Sequence, residues 1–253
     1  MPGPYDRTAV RMLLCDADGC LFPSEEPAFA ASAEVTNSFL AQMGSVSRYT
    51  GPQLRLATTG KNFRTTVRDL AQAEGIALDP AELELWVEME KKEVTSRLRQ
   101  ALRPDPAVTG PLGELARSRR LAVVTSSAGS RLDACLTATG LSDLFPPDTR
   151  FSAEDSLPRP AGKPDPAIYR FAGDRMAAPP GAALAVEDSV PGVQSAVAAG
   201  YETVGLLLFV PAEEREERRL ALLAAGAAGV LSSWKELEVY LAEPAEEPAV
   251  TAS

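Results

Sequence analysis

The stretch Leu13-Leu14-Cys15-Asp16-Ala17-Asp18-Gly19-Cys20-Leu21 decides the reading of the chain. The run from Val10 to Cys15 is apolar but for Arg11, and it ends in two carboxylates one residue apart, with a glycine after them. A short continuous apolar run bounded by turn residues fits a strand buried on both faces, as in a parallel sheet. Asp16 and Asp18 then emerge at its carboxyl end, where open α/β sheets hold their ligands. Two unit charges about 4 Å apart repel by roughly 4 kcal/mol at an effective dielectric of 20. A chain that places both at the mouth of a buried strand has a cation to hold, a proton to move, or both. The plainer alternative is a turn cap at Asp16 and a salt bridge at Asp18.

Outward from this stretch, residues 24–103 read as helical, with no convincing strand. Glu25–Met43 carries Ala, Phe and Leu at helical spacing, Asn62–Glu74 opens on a capping asparagine, and Pro80–Leu102 repeats its apolar residues at helical spacing. Arg103-Pro104-Asp105-Pro106 reads as a return hinge. Beyond it, strands and helices alternate. Helices are expected at Gly110–Arg120, Ser130–Thr139, Asp165–Met176, Gly192–Ala199, Glu213–Leu223 and Ser233–Leu241. Strands are expected at Leu121–Val124, Arg150–Ser152, Ala182–Val186, Thr203–Phe209 and Gly229–Leu231. Such alternation predicts an α/β fold, a Rossmann-like parallel sheet with helices on both faces. The expected domains are an α/β core from residues 1–23 and 104–242, an inserted helical domain over 24–103, and a disordered tail over 243–253. The leader Met1–Thr8 reads as polar and loosely held.

Composition narrows the chemistry. The chain has 253 residues, a formal net charge of -10, three cysteines and no histidine. The acidic balance argues against a nucleic-acid partner. No apolar run reaches the length of a membrane span, and no signal-peptide core precedes the first strand. Three scattered cysteines fit reduced thiols, hence a cytoplasmic expectation. Without imidazole, acid and base work falls to carboxylates, lysine, tyrosine or cysteine, and oxygen-only ligands favour a hard cation such as Mg²⁺.

Three apolar strands end in small or acidic polar residues: Asp16/Asp18, Thr125/Ser126 and Glu187/Asp188. Lys163 sits in a proline-crowded loop between the last two. Taken singly, each has a simpler reading: a strand-ending turn, a helix cap at Ser189, a solvated lysine. In a parallel sheet all three strand ends lie on one edge, so the groups are expected to converge.

Together these segments resemble the haloacid dehalogenase superfamily, in its phosphatase and β-phosphoglucomutase-like branch. The four motifs of that family correspond to Asp16-Ala17-Asp18-Gly19-Cys20, Ala122-Val123-Val124-Thr125-Ser126, Gly162-Lys163-Pro164-Asp165-Pro166 and Val186-Glu187-Asp188-Ser189. Cys20 departs from the usual Thr or Val and reads as a packing residue.

The resemblance implies roles. Asp16 is the nucleophile and a metal ligand. Asp18 is the general acid and base, and its backbone carbonyl is a metal ligand. A model aspartate titrates near 3.9, so an acid role requires a site that favours the protonated form. Thr125 and Ser126 hold phosphoryl oxygens, and Lys163 neutralises the nucleophile and the transferring group. Asp188 is the second carboxylate on Mg²⁺, with Glu187 on a metal-bound water. The insertion is a helical cap, whose segment Thr59-Gly60-Lys61-Asn62-Phe63-Arg64 contributes Lys61 and Arg64 to substrate selection; basic side chains pointing at water are the alternative.

The implied activity is Mg²⁺-dependent hydrolysis of a small phosphorylated metabolite, a sugar phosphate or phosphoglycolate-like compound, through an aspartyl-phosphate. A phosphomutase uses the same residues, and a catalytically silent binding protein is the third reading. The second aspartate, Asp18, disfavours dehalogenase and phosphonatase chemistry. A monomer or weak homodimer is expected.

Overall fold

The computed structural model describes residues 5–58 and 62–242. Lys61 and the tail 243–253 lie outside them. The chain divides into two compact units, Met1–Phe22 with Arg103–Ser253, and Pro23–Leu102.

The first unit is a six-stranded parallel sheet of β1 (Met12–Cys15), β2 (Arg120–Thr125), β3 (Arg150–Ser152), β4 (Ala183–Glu187), β5 (Glu202–Leu206) and β6 (Gly229–Leu231). Their order across the sheet is β3-β2-β1-β4-β5-β6, so β1 is interior, between β2 and β4. Leu13 faces Leu121 on one side and Leu184 on the other. Every residue of β1 and β4 is buried, which accounts for their continuous apolar character. The order reverses direction at β1, and the crevice at such a switch point is where doubly wound sheets bind ligands. Around the sheet lie α5 (Pro106–Leu115), α6 (Gly129–Ala138), α7 (Ala167–Met176), α8 (Val190–Ala198), α9 (Arg215–Ala224) and α10 (Trp234–Ala242). One core cluster joins Leu14, Val124 and Ala185 of the sheet to Ile168, Tyr169 and Ala172 of α7.

The second unit contains α1 (Glu25–Gln42), α2 (Gly51–Ala57), α3 (Phe63–Ala73) and α4 (Pro80–Ala101). Val35, Phe39 and Leu40 of α1 pack with Val67 of α3 and with Leu83 and Trp86 of α4. Phe39 and Trp86 meet edge to face at 5.6 Å. Asn62 caps α3 by accepting the Thr65 N–H at 2.9 Å.

Several expectations need correction. Helix α2 adds to the three helices expected in this stretch, and Thr50 and Gln53 form a reciprocal capping box at its start. Helix α5 begins four residues before Gly110, because Asp105 accepts the Ala107 N–H and Pro106 occupies the first turn, where its missing donor is harmless. It stops at Leu115, and Arg120 belongs to β2. Strand β5 ends at Leu206 rather than Phe209. The described part of the leader is tied down: the Tyr5 hydroxyl donates to the Ala183 carbonyl at 2.7 Å, and the Arg7 guanidinium lies 4.0 Å from the centroid of the Tyr240 ring.

Candidate active site

Strand β1 hands its chain directly to the site. The Asp16 N–H still bonds the Val186 carbonyl at 2.9 Å, so Asp16 keeps strand register beside β4. The chain then turns. Gly19 adopts φ +83°, and its N–H bonds the Phe22 carbonyl at 3.0 Å. A Cβ at Gly19 would lie 2.1 Å from Asp188 Oδ2, so only glycine lets the turn close against that carboxylate. From α10, the Trp234 indole N–H donates to the Cys20 carbonyl at 3.0 Å and fixes the far side of the turn.

Lys163 reaches in from the loop before α7. Its ammonium donates to Asp16 Oδ1, to Glu187 Oε1 at 2.7 Å and to the Val124 carbonyl at 2.8 Å. An ammonium has three donors, and all three have acceptors here. The loop is held at both ends: the Lys163 N–H bonds Ser126 Oγ at 3.2 Å, and Ser195 Oγ of α8 donates to the Asp165 carbonyl at 2.7 Å. Burial disfavours the lysine's charge, but Asp16 and Glu187 outweigh it and hold its pKa above the ordinary range.

Asp16 is 7% exposed and Glu187 fully buried. Burial pushes the Asp16 carboxyl well above the usual range; Lys163 opposes this, while Glu187 and Asp188 add to it. Burial and then Glu187 push Asp188 up to about 7, against Arg218 and Lys163. Glu187 accepts from Lys163 and from the Tyr169 hydroxyl, the latter at 2.6 Å. Its contacts are with Lys163, Tyr169 of α7 and Ser189.

Asp18 lies on the open side. Its Oδ2 accepts from the Ser127 hydroxyl at 2.8 Å, and Arg131 of α6 stands 3.4 Å from its Oδ1. Ala17, Phe22, Thr125, Ser127 and Arg131 lie around it. The Thr125 and Ser126 hydroxyls each accept a backbone N–H, from Ser127 and Lys163, which leaves their own protons to donate.

The donor set suits a hard divalent cation. Oxygens of Asp16 and Asp188 and the Cys20 sulfur all lie within 4.8 Å of one another. Burial raises the Cys20 thiol well above its ordinary pKa, so it stays neutral and the anionic donors are oxygens. Asp16 and Glu187 both contact the Lys163 ammonium and Asp188 lies beside Asp16, so the three carboxylates outweigh the lysine, an excess of negative charge that a cation of the Mg²⁺ kind offsets.

The family model for haloacid dehalogenase-like hydrolases matches residues 10–200. The chain belongs to that family. Solved structures of similar fold include a candidate β-phosphoglucomutase from Thermotoga maritima, at 26% identity and a TM-score of 0.68, with 91% of this chain and 98% of that chain covered. A haloacid dehalogenase family hydrolase from Deinococcus radiodurans R1, with bound phosphate and sodium, is 25% identical at a TM-score of 0.65, with 93% and 96% covered. A predicted phosphoglycolate phosphatase from Haemophilus somnus shares the fold at 20% identity and a TM-score of 0.71, with 92% and 98% covered. No curated protein matches the chain.

In this haloacid dehalogenase-like hydrolase, Asp16, Asp18, Thr125, Ser126, Lys163, Glu187 and Asp188 meet at the carboxyl edge of the sheet. Arg64 sits in the helical unit, paired with Glu84 of α4; Lys61 is outside the described residues. Four further residues enter the site. Ser127 continues the polar run after β2. Arg131 was detectable as a cation in the first turn of a helix, where the macrodipole disfavours it without a partner. Tyr169 was detectable as a tyrosine on an otherwise apolar helix face, whose hydroxyl needs a partner when buried. Arg218 of α9, which donates to the Asp188 carbonyl at 3.0 Å, had no local signal.

Proposed function

We propose that this hydrolase is a Mg²⁺-dependent phosphatase acting on a small phosphorylated metabolite, a sugar phosphate or phosphoglycolate-like compound. The observation that carries this reading is the Lys163 ammonium on Asp16, with the Asp188 carboxylate within ligand distance of the same aspartate. Asp16 Oδ attacks phosphorus, and the P–O bond to the leaving group breaks with its electron pair. Asp18 gives that oxygen a proton. Asp18 then takes a proton from water, which attacks the aspartyl-phosphate and releases inorganic phosphate and the Asp16 carboxylate. Thr125, Ser126 and Lys163 hold the phosphoryl oxygens throughout. Asp16, Asp188 and the Asp18 backbone carbonyl are the proposed Mg²⁺ ligands. The bound ion supplies positive charge that lets an anionic phosphoryl group approach the carboxylates.

Purified protein is expected to hydrolyse p-nitrophenyl phosphate with Mg²⁺, to stop with EDTA, and to be inactive as Asp16→Asn. Persistent turnover by Asp16→Asn defeats the reading. The Thermotoga neighbour motivates a second one, transfer to a sugar hydroxyl instead of water. Incubation with a sugar 1-phosphate separates the two, since a mutase yields 6-phosphate and a phosphatase yields inorganic phosphate. Substrate choice is assigned to Lys61 and Arg64. An unchanged kcat/KM for every accepted substrate in Arg64→Ala removes Arg64 from that role.

A further inference from the structure

The phosphatase reading gives no role to a fully buried polar group beside the site, the Tyr169 phenol. We infer that Tyr169 is a positioning residue for Lys163, acting through Glu187: the phenol fixes the carboxylate that holds the ammonium on Asp16. This rests on the phosphatase reading of the same site.

The geometry is a chain of short contacts. The Tyr169 hydroxyl donates to Glu187 Oε1 at 2.6 Å, and Lys163 Nζ donates to the same oxygen at 2.7 Å before reaching Asp16. Glu187 has little other freedom. Its Oε2 accepts from Ser189 Oγ at 3.4 Å, and the α8 backbone presses on it so closely that a Cβ at Gly192 would fall 1.8 Å from that oxygen. The N-terminus of α8 also favours a negative charge there. What remains is rotation toward or away from Lys163, and the phenol restrains it. Charge-assisted bonds of this kind are stronger than neutral ones and are directional. The tyrosine ring adds a second contact, with its centroid 5.2 Å from Nζ. Electrostatic catalysis depends on such fixed placement, since small displacements of a catalytic charge weaken the transition state.

Tyr169 also belongs to a hydrophobic cluster, so its structural contribution must be separated from its positioning. Tyr201 provides the control. It lies in the same cluster, its ring centroid 6.4 Å from that of Tyr169, and its hydroxyl donates to the Ala178 carbonyl at 3.0 Å, away from Lys163.

The test compares Tyr169→Phe, Tyr201→Phe, Glu187→Gln and the Tyr169→Phe/Glu187→Gln double variant on p-nitrophenyl phosphate with saturating Mg²⁺. Tyr169→Phe keeps the ring and removes one hydroxyl. It is expected to lower kcat about tenfold, since misplacing the charge beside Asp16 weakens stabilisation of the transition state, with KM within about twofold. Tyr201→Phe is expected to lower the thermal midpoint and leave kcat unchanged. In the Glu187→Gln background, Tyr169→Phe is expected to add no further loss, because the two act as one unit. An arm independent of turnover uses metal-free protein: amidination of Lys163 by methyl acetimidate, read by peptide mass spectrometry, is expected to be faster in Tyr169→Phe than in wild type or Tyr201→Phe. Equal labelling in all three, an unchanged kcat in Tyr169→Phe, or additive losses in the double variant overturns the inference. Asp16→Asn is run alongside. If it still hydrolyses, the phosphatase reading fails; if it is dead while Tyr169→Phe is silent, only the positioning role fails.

Discussion

Asp16 and Asp18 are two residues apart at the end of one strand, yet they occupy opposite surroundings. Asp16 keeps strand register, is almost wholly buried, and faces a lysine delivered from 147 residues away. Asp18 has left the strand for the turn. Its side chain is about a third exposed and faces Ser127 and Arg131 from the β2–α6 segment. The buried carboxylate has a fixed cation and little water, as suits its proposed role of a nucleophile held in one direction. The open one has hydrogen-bond partners and solvent, as suits a group that must exchange protons. One strand end thus supplies two kinds of carboxylate because burial and partners differ, not residue type.

The largest expected effect breaks this contrast at its buried side. Asp16→Asn should reduce kcat by about four orders of magnitude or more, as loss of a nucleophile does, and rapid-quench mass spectrometry should find no phosphorylated protein. Asp18→Asn should lower kcat by roughly 10²–10⁴-fold for a substrate with a poor leaving group, the range for a general acid or base. With p-nitrophenyl phosphate, whose leaving group needs no proton, Asp18→Asn should still form the covalent adduct and release p-nitrophenolate in a burst. Identical behaviour of the two variants would erase the distinction. Arg131→Gln should cost less, no more than about fivefold in kcat, since a partly exposed ion pair contributes only about 1 kcal/mol or less. A change in KM alone would instead put Arg131 on the substrate.

The smallest effect is on stability. Burial and Glu187 hold the Asp188 carboxyl up to about 7 in the folded protein, against about 4 for an ordinary aspartate. Between those values the folded state keeps a proton that the unfolded chain releases, so this group makes the metal-free protein less stable as pH rises from about 4 to about 7. Metal-free Asp188→Asn lacks that loss. Its thermal midpoint should exceed that of wild type at pH 8, and the gap should narrow steadily as the pH falls toward 4. Saturating Mg²⁺ should reverse the order at pH 8, because wild type alone keeps both proposed carboxylate ligands.

Much of the architecture was legible beforehand. The parallel sheet followed from apolar runs too continuous for a half-exposed strand, and the helices from periodic spacing, with end errors of a few residues. Helix α2 was missed because its seven residues are too short to show a period; its capping box was the usable sign. For the site, the residues that end strands were identifiable because a parallel sheet brings all such ends to one edge. Ser127, Arg131, Tyr169 and Arg218 were harder, since each lies on a segment whose own pattern is that of an ordinary turn or helix.

Local chemistry in the chain singled out carboxylates and hydroxyls at strand ends and a lysine in a proline-crowded loop, and the lack of histidine excluded imidazole mechanisms, because these depend on residue type and position along the chain. Which oxygen each cation touches was decided only when the chain packed. Glu187 and Asp188 are adjacent and acidic, and nothing in their order says that one is fully buried against Lys163 and Tyr169 while the other lies beside Asp16. Successive side chains at a strand end point to different sides of the sheet, and what waits on each side comes from distant parts of the chain. That is why Tyr169 acquires a contact with the charge network only in the folded protein.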